Sequence, residues 1–229
     1  MKSWCIGKPS GRFVAKMEDV LDVYHRPYDP QRPVVCLDEC SKELRGTPHG
    51  VLPMQPSSPL RSARPKREDY EYARHGTCNI FLAVEPLAGR RFLKVTDRRT
   101  ALDFAEMVRY LVDEEYADAE KVVLVTDNLN THHEGVLYEL FDPETARRIA
   151  RRIEWHYTPE HGSWLNMAEC ELSVLMRQCL NRRLDTMELV RQEALAWRQD
   201  RNRATSSIHW QFTTADARTK LRRLYPQLK

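Results

Sequence analysis

The sequence lacks the features by which several common protein classes are recognised. No uninterrupted apolar stretch in its 229 residues approaches the roughly 20 residues of a membrane-spanning helix, and residues 1–30 lack the apolar run of a secretory signal. We therefore predict a soluble cytoplasmic protein without a membrane partner. The patterns G-x-x-x-x-G-K-S/T, G-x-G-x-x-G and G-x-S-x-G are also absent. Nucleotide hydrolysis, a bound nucleotide cofactor and serine-hydrolase catalysis therefore have no support.

Cysteine is infrequent, and its spacing forms no recognised motif. The chain has six cysteines and no C-x-x-C pair, which favours free, mostly buried thiols over disulfides or a zinc site. One candidate set of zinc ligands combines Cys36 and Cys40 with His132 and His133. Its support is weak, because the two cysteines bracket the end of a predicted strand and do not form a zinc knuckle.

The net charge of +3 is small, but the charges are segregated along the chain. Twelve acidic and four basic residues lie between positions 101 and 150, whereas eleven basic and five acidic residues lie between 181 and 229. Basic surfaces of this kind suit a polyanion such as nucleic acid, and they are equally compatible with solvated helix faces. Composition alone leaves both interpretations open.

Hydrophobic periodicity predicts an α/β protein in which helices cover a mixed sheet. Apolar runs predict strands over residues 34–37, 77–84, 91–95, 122–125 and 153–157, with the second and third joined as a hairpin. Helical spacing predicts helices over residues 12–24, 100–116, 135–141, 143–152, 164–184, 186–203 and 213–224. The stretch 46–65 is rich in proline, serine and glycine, and this composition predicts a long mobile loop.

Two of the predicted strands lead directly into aspartate. Residues 34–37 precede Asp38, and residues 122–126 precede Asp127. Ligands of open α/β sheets bind beyond the carboxyl ends of the strands, so we expect these two carboxylates to share one site. For either residue alone, an aspartate that merely starts a turn is the alternative. The functional interpretation is favoured by the polar residues that follow Asp127, namely Asn128, Asn130 and His132.

A third carboxylate is predicted on the helix after the last strand. Its apolar residues form one stripe at about 100° per residue. Glu169 lies at the edge of this stripe, four residues after Leu165 and three before Leu172. Glu171 is turned about 200° from Glu169, so we predict that it points away from the sheet as a solvated charge. An acid facing the sheet is costly unless it serves a purpose, which makes Glu169 the better candidate.

Three converging carboxylates predict a metal site. They repel one another unless a cation lies between them. Hard oxygen ligands suit Mg²⁺ or Mn²⁺ better than zinc. Two such ions about 3.5–4 Å apart activate a water or sugar hydroxyl and stabilise the leaving oxygen of a phosphodiester displacement. The residues therefore predict a two-metal site for phosphoryl transfer on nucleic acid.

Three segments contain the candidate carboxylates. Residues 35–39 read Val-Cys-Leu-Asp-Glu, residues 125–132 read Val-Thr-Asp-Asn-Leu-Asn-Thr-His, and residues 156–169 read His-Tyr-Thr-Pro-Glu-His-Gly-Ser-Trp-Leu-Asn-Met-Ala-Glu. These segments resemble the three acidic motifs of mariner-related DDE transposases from bacterial insertion sequences. The third motif is long and specific, and the resemblance covers about residues 4–225.

The resemblance implies a ribonuclease-H-like mixed sheet flanked by helices. It implies a linker helix segment in residues 1–33 and a catalytic domain in residues 34–229 with basic carboxyl-terminal helices. The metal-binding and catalytic triad would be Asp38, Asp127 and Glu169. Residues expected around the metals or the DNA are Asn128, Asn130, His132, His161, Asn166, Arg182 and Arg183.

The resemblance also implies a biological activity and its partners. The chain would cleave transposon-end DNA and join it to target DNA, as a homodimer near the bacterial nucleoid. Glu160 departs from the family pattern, because a basic residue is expected before His-Gly-Ser-Trp. Family members usually carry an amino-terminal helix-turn-helix region, whereas we predict that this chain begins at the linker helix. A ribonuclease-H-like nuclease without strand transfer and an inactive DNA-binding relic are the alternatives.

Overall fold

A mixed five-stranded sheet with helices on both faces organises the chain. The computed structural model describes residues 10–68, 70–127, 129 and 131–226. The strands are β1 (Val34–Gly46), β2 (Val51–Leu52), β3 (Arg67–Glu68), β4 (Ala73–Glu85), β5 (Arg90–Thr96), β6 (Val122–Thr126) and β7 (Ile153–Tyr157). The helices are α1 (Gly11–Tyr24), α2 (Ala101–Tyr110), α3 (Gly135–Leu140), α4 (Pro143–Arg151), α5 (Met167–Leu175), α6 (Met187–Arg203) and α7 (Thr214–Lys220).

The strand order in the sheet is β5-β4-β1-β6-β7. Strands β1, β6 and β7 run parallel, whereas β4 pairs antiparallel with β1 and β5. The predicted mixed sheet and the predicted hairpin are therefore confirmed. In the part of the chain that the structure describes, no helix is long and apolar enough to cross a membrane.

Alternation along β1 sends side chains to both faces of the sheet. Val35 and Leu37 pack on one face with Phe104 of α2 and with residues of α3 and α4. Cys36 packs on the other face with residues of α1, α5 and α7. A further apolar cluster lies between the hairpin and α6 and includes Ile80. Because helices cover both faces, the short apolar runs of the central strands are buried on both sides.

Residues 46–65, predicted as a long mobile loop, form most of a narrow antiparallel arm. The two-residue strands β2 and β3 pair at its base. Farther out, Gln55 and Arg64 exchange backbone hydrogen bonds of 3.0 and 2.9 Å, and Ser58 and Arg61 pair in the same way. Most of these residues are exposed and lie outside the named strands, as expected of a loop, but composition did not predict the backbone pairing across the arm.

Strand β1 extends far beyond the predicted residues 34–37. Its first residues pair in parallel with β6, and from Cys36 to Gly46 it pairs with β4. Asp38 therefore lies inside the strand. The prediction that it follows the end of the strand was wrong. The second half of β1 is polar, and the apolar strand β4 supplies the pairing that local sequence does not indicate.

The helix predicted over residues 164–184 is interrupted at both ends. It begins with a 3-10 turn (Ser163–Leu165), and a π turn (Met176–Leu180) follows α5. At the end of this π turn, the ammonium group of Lys42 on β1 donates a hydrogen bond of 2.8 Å to the Leu180 carbonyl. Contact with β1 replaces the next helical turn, so the spacing of apolar residues alone did not predict the end.

The cysteines of the described residues are all free, as predicted. Cys36 and Cys78 are buried, Cys40 and Cys179 are half-buried, and Cys170 is exposed. Cys5 lies outside the described residues.

Candidate active site

The candidate site lies at the carboxyl-terminal end of β6, beside the point where β1 continues past it. Val34 is opposite Val123 and Cys36 is opposite Val125 in this parallel pair. Continuing the register by two places sets Asp38 level with Asp127. Neighbouring strands are about 4.8 Å apart, so the two aspartates leave adjacent strands at the same level of the sheet.

Asp38 experiences the negative charge of both other predicted carboxylates. Its pKa is raised to about 7. Burial is the main cause, the backbone N–H of Glu39 opposes the shift with a hydrogen bond of 2.8 Å, and the charges of Asp127, Glu39 and Glu169 add to it. The acids predicted from three separate motifs therefore form one electrostatically coupled group.

Asn166 joins the helix that carries Glu169 to the strand that carries Asp38. Its amide nitrogen donates to the Leu37 carbonyl (3.0 Å) and to the Asp38 carboxylate (3.2 Å). Its side-chain oxygen accepts from the N–H of Ala168 (3.0 Å), which makes Asn166 the N-cap of α5. One buried side chain thus sets the start of α5 relative to β1.

His132 contacts Asp127 from the face of the sheet that α2 covers. Its Nδ1 hydrogen-bonds to the Asp127 carboxylate, and its Nε2 lies 3.3 Å from the Glu39 carboxylate. The ring is buried and stacks on Phe104, with 4.2 Å between ring centroids. An imidazole between two carboxylates donates to both only when it is protonated.

Glu39 is a site residue that the sequence reasoning missed. Its side chain is only 6% exposed. Burial is the main cause of its raised pKa, which His132 and Arg99 lower and Asp127 raises. Strand alternation was the available signal, because it places Glu39 on the face opposite to Asp38 and therefore on the side of the following motif.

Glu169 and Glu171 differ in burial, and the prediction that Glu171 is solvated was wrong. Glu169 is exposed in the first turn of α5 and acts electrostatically on Asp38. Glu171, predicted to be a solvated charge, is buried three residues after buried Ala168. Its carboxylate binds Arg91 of β5 and Arg201 of α6 at 2.9 and 2.8 Å. These distant cations offset the cost of burial, which local sequence cannot show.

The loop before α5 contains His161 and Glu160. His161 is exposed and has a φ of 62°, in a turn closed by a 2.8 Å bond from the Gly162 N–H to the Pro159 carbonyl. A non-glycine residue adopts this left-handed conformation at a cost. Glu160 acts electrostatically on Lys16 of α1, so the acid that departs from the family pattern faces a cation of the first helix.

Arg182 and Arg183 lie away from the carboxylates, near the far half of β1. Arg182 pairs with Glu193 of α6. Arg183 donates to backbone carbonyls at the base of the arm, including that of Glu71 at 2.9 Å. The Arg182 carbonyl accepts a hydrogen bond of 3.1 Å from the ammonium group of Lys42. Lys42 lies four residues beyond Asp38, about 13 Å along β1. Asn128 and Asn130 lie outside the described residues.

The donor chemistry of the site fits a hard divalent cation. Asp38, Asp127 and Glu169 offer only oxygen ligands, the type that Mg²⁺ and Mn²⁺ prefer. Burial is the main cause of the raised pKa of Asp38, and the nearby acids add a repulsion that a cation would relieve. Among the described residues, no three His, Cys, Asp or Glu side chains are gathered closely enough to hold one ion.

Comparison with solved structures shows the same ribonuclease-H-like fold in a transposase. The Mos1 mariner paired end complex with Mn matches 90% of this chain, with a TM-score of 0.53 and 12% identity. The Mos1 paired end complex with Mg matches 98%, at 0.53 and 15%, and the Mos1 strand transfer complex matches 90%, at 0.51 and 16%. The matches cover 62%, 64% and 62% of those chains, so this chain spans less than two thirds of their length.

Family comparison identifies the chain more directly. The model of the DDE superfamily endonucleases matches residues 33–191, a region that contains all three candidate carboxylates. The chain belongs to the DDE superfamily endonuclease family. No curated protein matches it.

Proposed function

We propose that this chain is the catalytic domain of a bacterial insertion-sequence transposase, which cleaves transposon-end DNA and joins it to target DNA. The observation that supports this proposal is the β1–β6 register, which sets Asp38 level with Asp127, in a chain of the DDE superfamily endonuclease family. The charges of Asp127 and Glu169 also raise the pKa of Asp38, in addition to burial. Under the proposal, residues 1–33 form a linker and residues 34–229 the catalytic domain. The active form is a homodimer acting in the bacterial nucleoid.

The three carboxylates are proposed to hold two Mg²⁺ or Mn²⁺ ions. When bound, such ions activate a water or hydroxyl and stabilise the leaving oxygen of the phosphodiester. His132 orients Asp127 through its Nδ1 hydrogen bond. Asn166 orients Asp38 and, as the cap of α5, the first turn that carries Glu169. Hydrogen bonds from His132 and Asn166 thus orient Asp127 and Asp38, and Glu169 is exposed on the first turn of α5.

Metal-dependent cleavage of DNA carrying the inverted repeats that flank the gene is the direct test. We expect cleavage with Mg²⁺ or Mn²⁺ and none after Asp127→Ala. Asp118→Asn is the matched control, because Asp118 is exposed in the loop before β6, at the opposite edge of the sheet. Wild-type protein that neither cleaves nor joins this DNA with either metal would contradict the proposal.

The reaction products separate the proposal from its alternatives. Strand transfer gives DNA in which the repeat end is covalently joined to a target duplex. Cleavage without any joined product would favour a ribonuclease-H-like nuclease. Salt-sensitive DNA binding without cleavage would favour a relic, since phosphate contacts alone give that behaviour.

A further inference from the structure

A tryptophan is exposed beside the candidate site. Trp164 lies in the 3-10 turn before α5, and 43% of its surface is accessible to solvent, although Leu165 and Asn166 after it are fully buried. Two residues span at most about 7 Å, so the Trp164 backbone is close to Asn166, which contacts Asp38. Single exposed apolar residues are common, and the surroundings of this one distinguish it.

The backbone around Trp164 is held on both sides. The Leu165 N–H bonds to Gly162 (3.0 Å), and the Leu165 carbonyl accepts from the hydroxyl of Tyr24 in α1 (2.6 Å). Asn166 is fixed by its bonds to β1 and α5. The indole therefore projects from a turn that these hydrogen bonds hold. A ligand that binds to the indole would have to order few additional groups, so the entropy cost of binding is small.

An aromatic residue packs against the Trp164 side chain. Phe212 contacts it edge to face, with ring centroids 6.3 Å apart and an interplanar angle of 72°. Phe212 packs against the core cluster of α1 and α5, and the ammonium of Lys220 lies 5.5 Å from its ring. Phe212 thus supports the indole and leaves part of it open to solvent, within a basic carboxyl-terminal segment.

We infer that Trp164 is a stacking platform for an unpaired nucleobase next to the scissile phosphate, an inference that rests on the proposed function. Every base has a π face, and stacking on an aromatic side chain is worth about 1–3 kcal/mol per base. Inside a duplex that face is covered by neighbouring base pairs, so the indole reaches only a base at a strand end or one that has left the stack. The exposed residues Arg222 and Arg223, which follow Lys220, supply positive charge for the adjoining phosphates.

The test compares two DNAs of the same sequence, a blunt duplex and a duplex with a three-nucleotide overhang containing 2-aminopurine. Binding is measured without divalent metal, so that cleavage does not interfere. We expect wild-type protein to bind the overhang more tightly and to quench 2-aminopurine fluorescence. Trp164→Ala should weaken overhang binding by about tenfold, as loss of one stacked base predicts, and should abolish quenching. Trp164→Phe should retain most of both.

A matched aromatic control lies at the other end of the sheet. Tyr28 is 54% exposed in the loop between α1 and β1, and Tyr28→Ala should leave both affinities unchanged.

Equal losses on blunt and overhang DNA after Trp164→Ala would overturn the inference, as would a change in oligomeric state with overhang binding intact. Unchanged binding by the variant, while wild-type protein still cleaves with metal, would overturn the inference alone. Wild-type protein that neither binds nor cleaves would overturn the proposed function as well.

Discussion

Arg91 and Glu171 form an ion pair in the interior of the protein. Arg91 Nε lies 2.9 Å from Glu171 Oε2, and the side chains are 0% and 4% exposed. Arg201 donates to the other carboxylate oxygen at 2.8 Å, and the next residue, Asn202, hydrogen-bonds to the Arg91 backbone. This network connects α5, two residues beyond Glu169, with β5 and α6.

We expect Glu171→Ala to reduce the free energy of unfolding by about 3–5 kcal/mol, because it leaves the buried Arg91 without its carboxylate. Urea denaturation measures the change. Glu169→Ala, on the exposed side of the same helix, should change stability by less than about 0.5 kcal/mol. Similar effects of the two substitutions would contradict the burial of Glu171. A double substitution of Arg91 and Glu171 by Met should recover much of the loss, since apolar residues replace buried pairs well.

Millimolar Mg²⁺ or Mn²⁺ should raise the melting temperature of the wild-type protein. A ligand that binds only the folded state stabilises it by about 2.7 kcal/mol at a hundredfold excess over its Kd. Asp127→Ala should remove much of this response, and Asp118→Asn should retain it. Differential scanning fluorimetry with and without EDTA makes the measurement. A wild-type melting curve that neither metal shifts would argue against the carboxylate site.

His156 should make the free energy of unfolding depend on pH. Burial lowers the pKa of His156, but its bonds to Asp19 (2.7 Å) and Glu154 (3.0 Å) outweigh burial, so the net pKa is raised. The resulting stabilisation is complete below about pH 6.5, the unfolded value, and is lost as pH rises through the folded pKa. Urea denaturation between pH 5.5 and 8.5 checks this. His156→Gln should flatten the dependence, and an identical slope in both proteins would refute the assignment.

Arg222 and Arg223 should carry part of the salt dependence of DNA binding. Most basic residues of α6 and α7 have acidic partners, such as Arg203 with Asp200 and Arg218 with Glu18. Arg222 and Arg223 are exposed and have no acidic partner among the described residues. If both contact phosphates, replacing both with alanine should reduce the log–log salt slope by about 1.8.

A salt titration of affinity for repeat and random duplexes measures this slope. Arg203→Ala is the matched control, because its charge is already paired with Asp200. A flat salt response of the wild-type protein would mean that the basic residues form only a solvated face. Equal reductions by the control and by the double variant would contradict a specific role for Arg222 and Arg223.

Local patterns predicted the sheet well. The apolar runs at residues 122–125 and 153–157 correspond to β6 and β7, and the hairpin corresponds to β4 and β5. Such runs identify buried strands because the central strands are covered on both faces. The same reasoning underestimated β1, since its polar half depends on pairing with β4.

The surroundings of the candidate carboxylates were less predictable. Asp38, Asp127 and Glu169 were predicted from apolar runs that precede them and from a helix stripe, although Asp38 lies inside β1, whereas Glu39 was not predicted. Its contact with His132 joins two motifs across one face of the sheet. The Asn166 bond to Asp38 spans 128 residues of sequence, and no local periodicity reports a contact of that range.

The sequence by itself determined the buried central strands, most of the helices, the order of the acidic motifs and the family, because these depend on local periodicity and on residue identity. Tertiary structure alone decided which charges are buried and which partners they meet. Glu171 shows the difference: its polarity predicts exposure, yet Arg91, 80 residues away, makes its burial tolerable. The free energy of a buried charge depends on partners brought by other elements of the fold, and those partners exist only once the chain has folded.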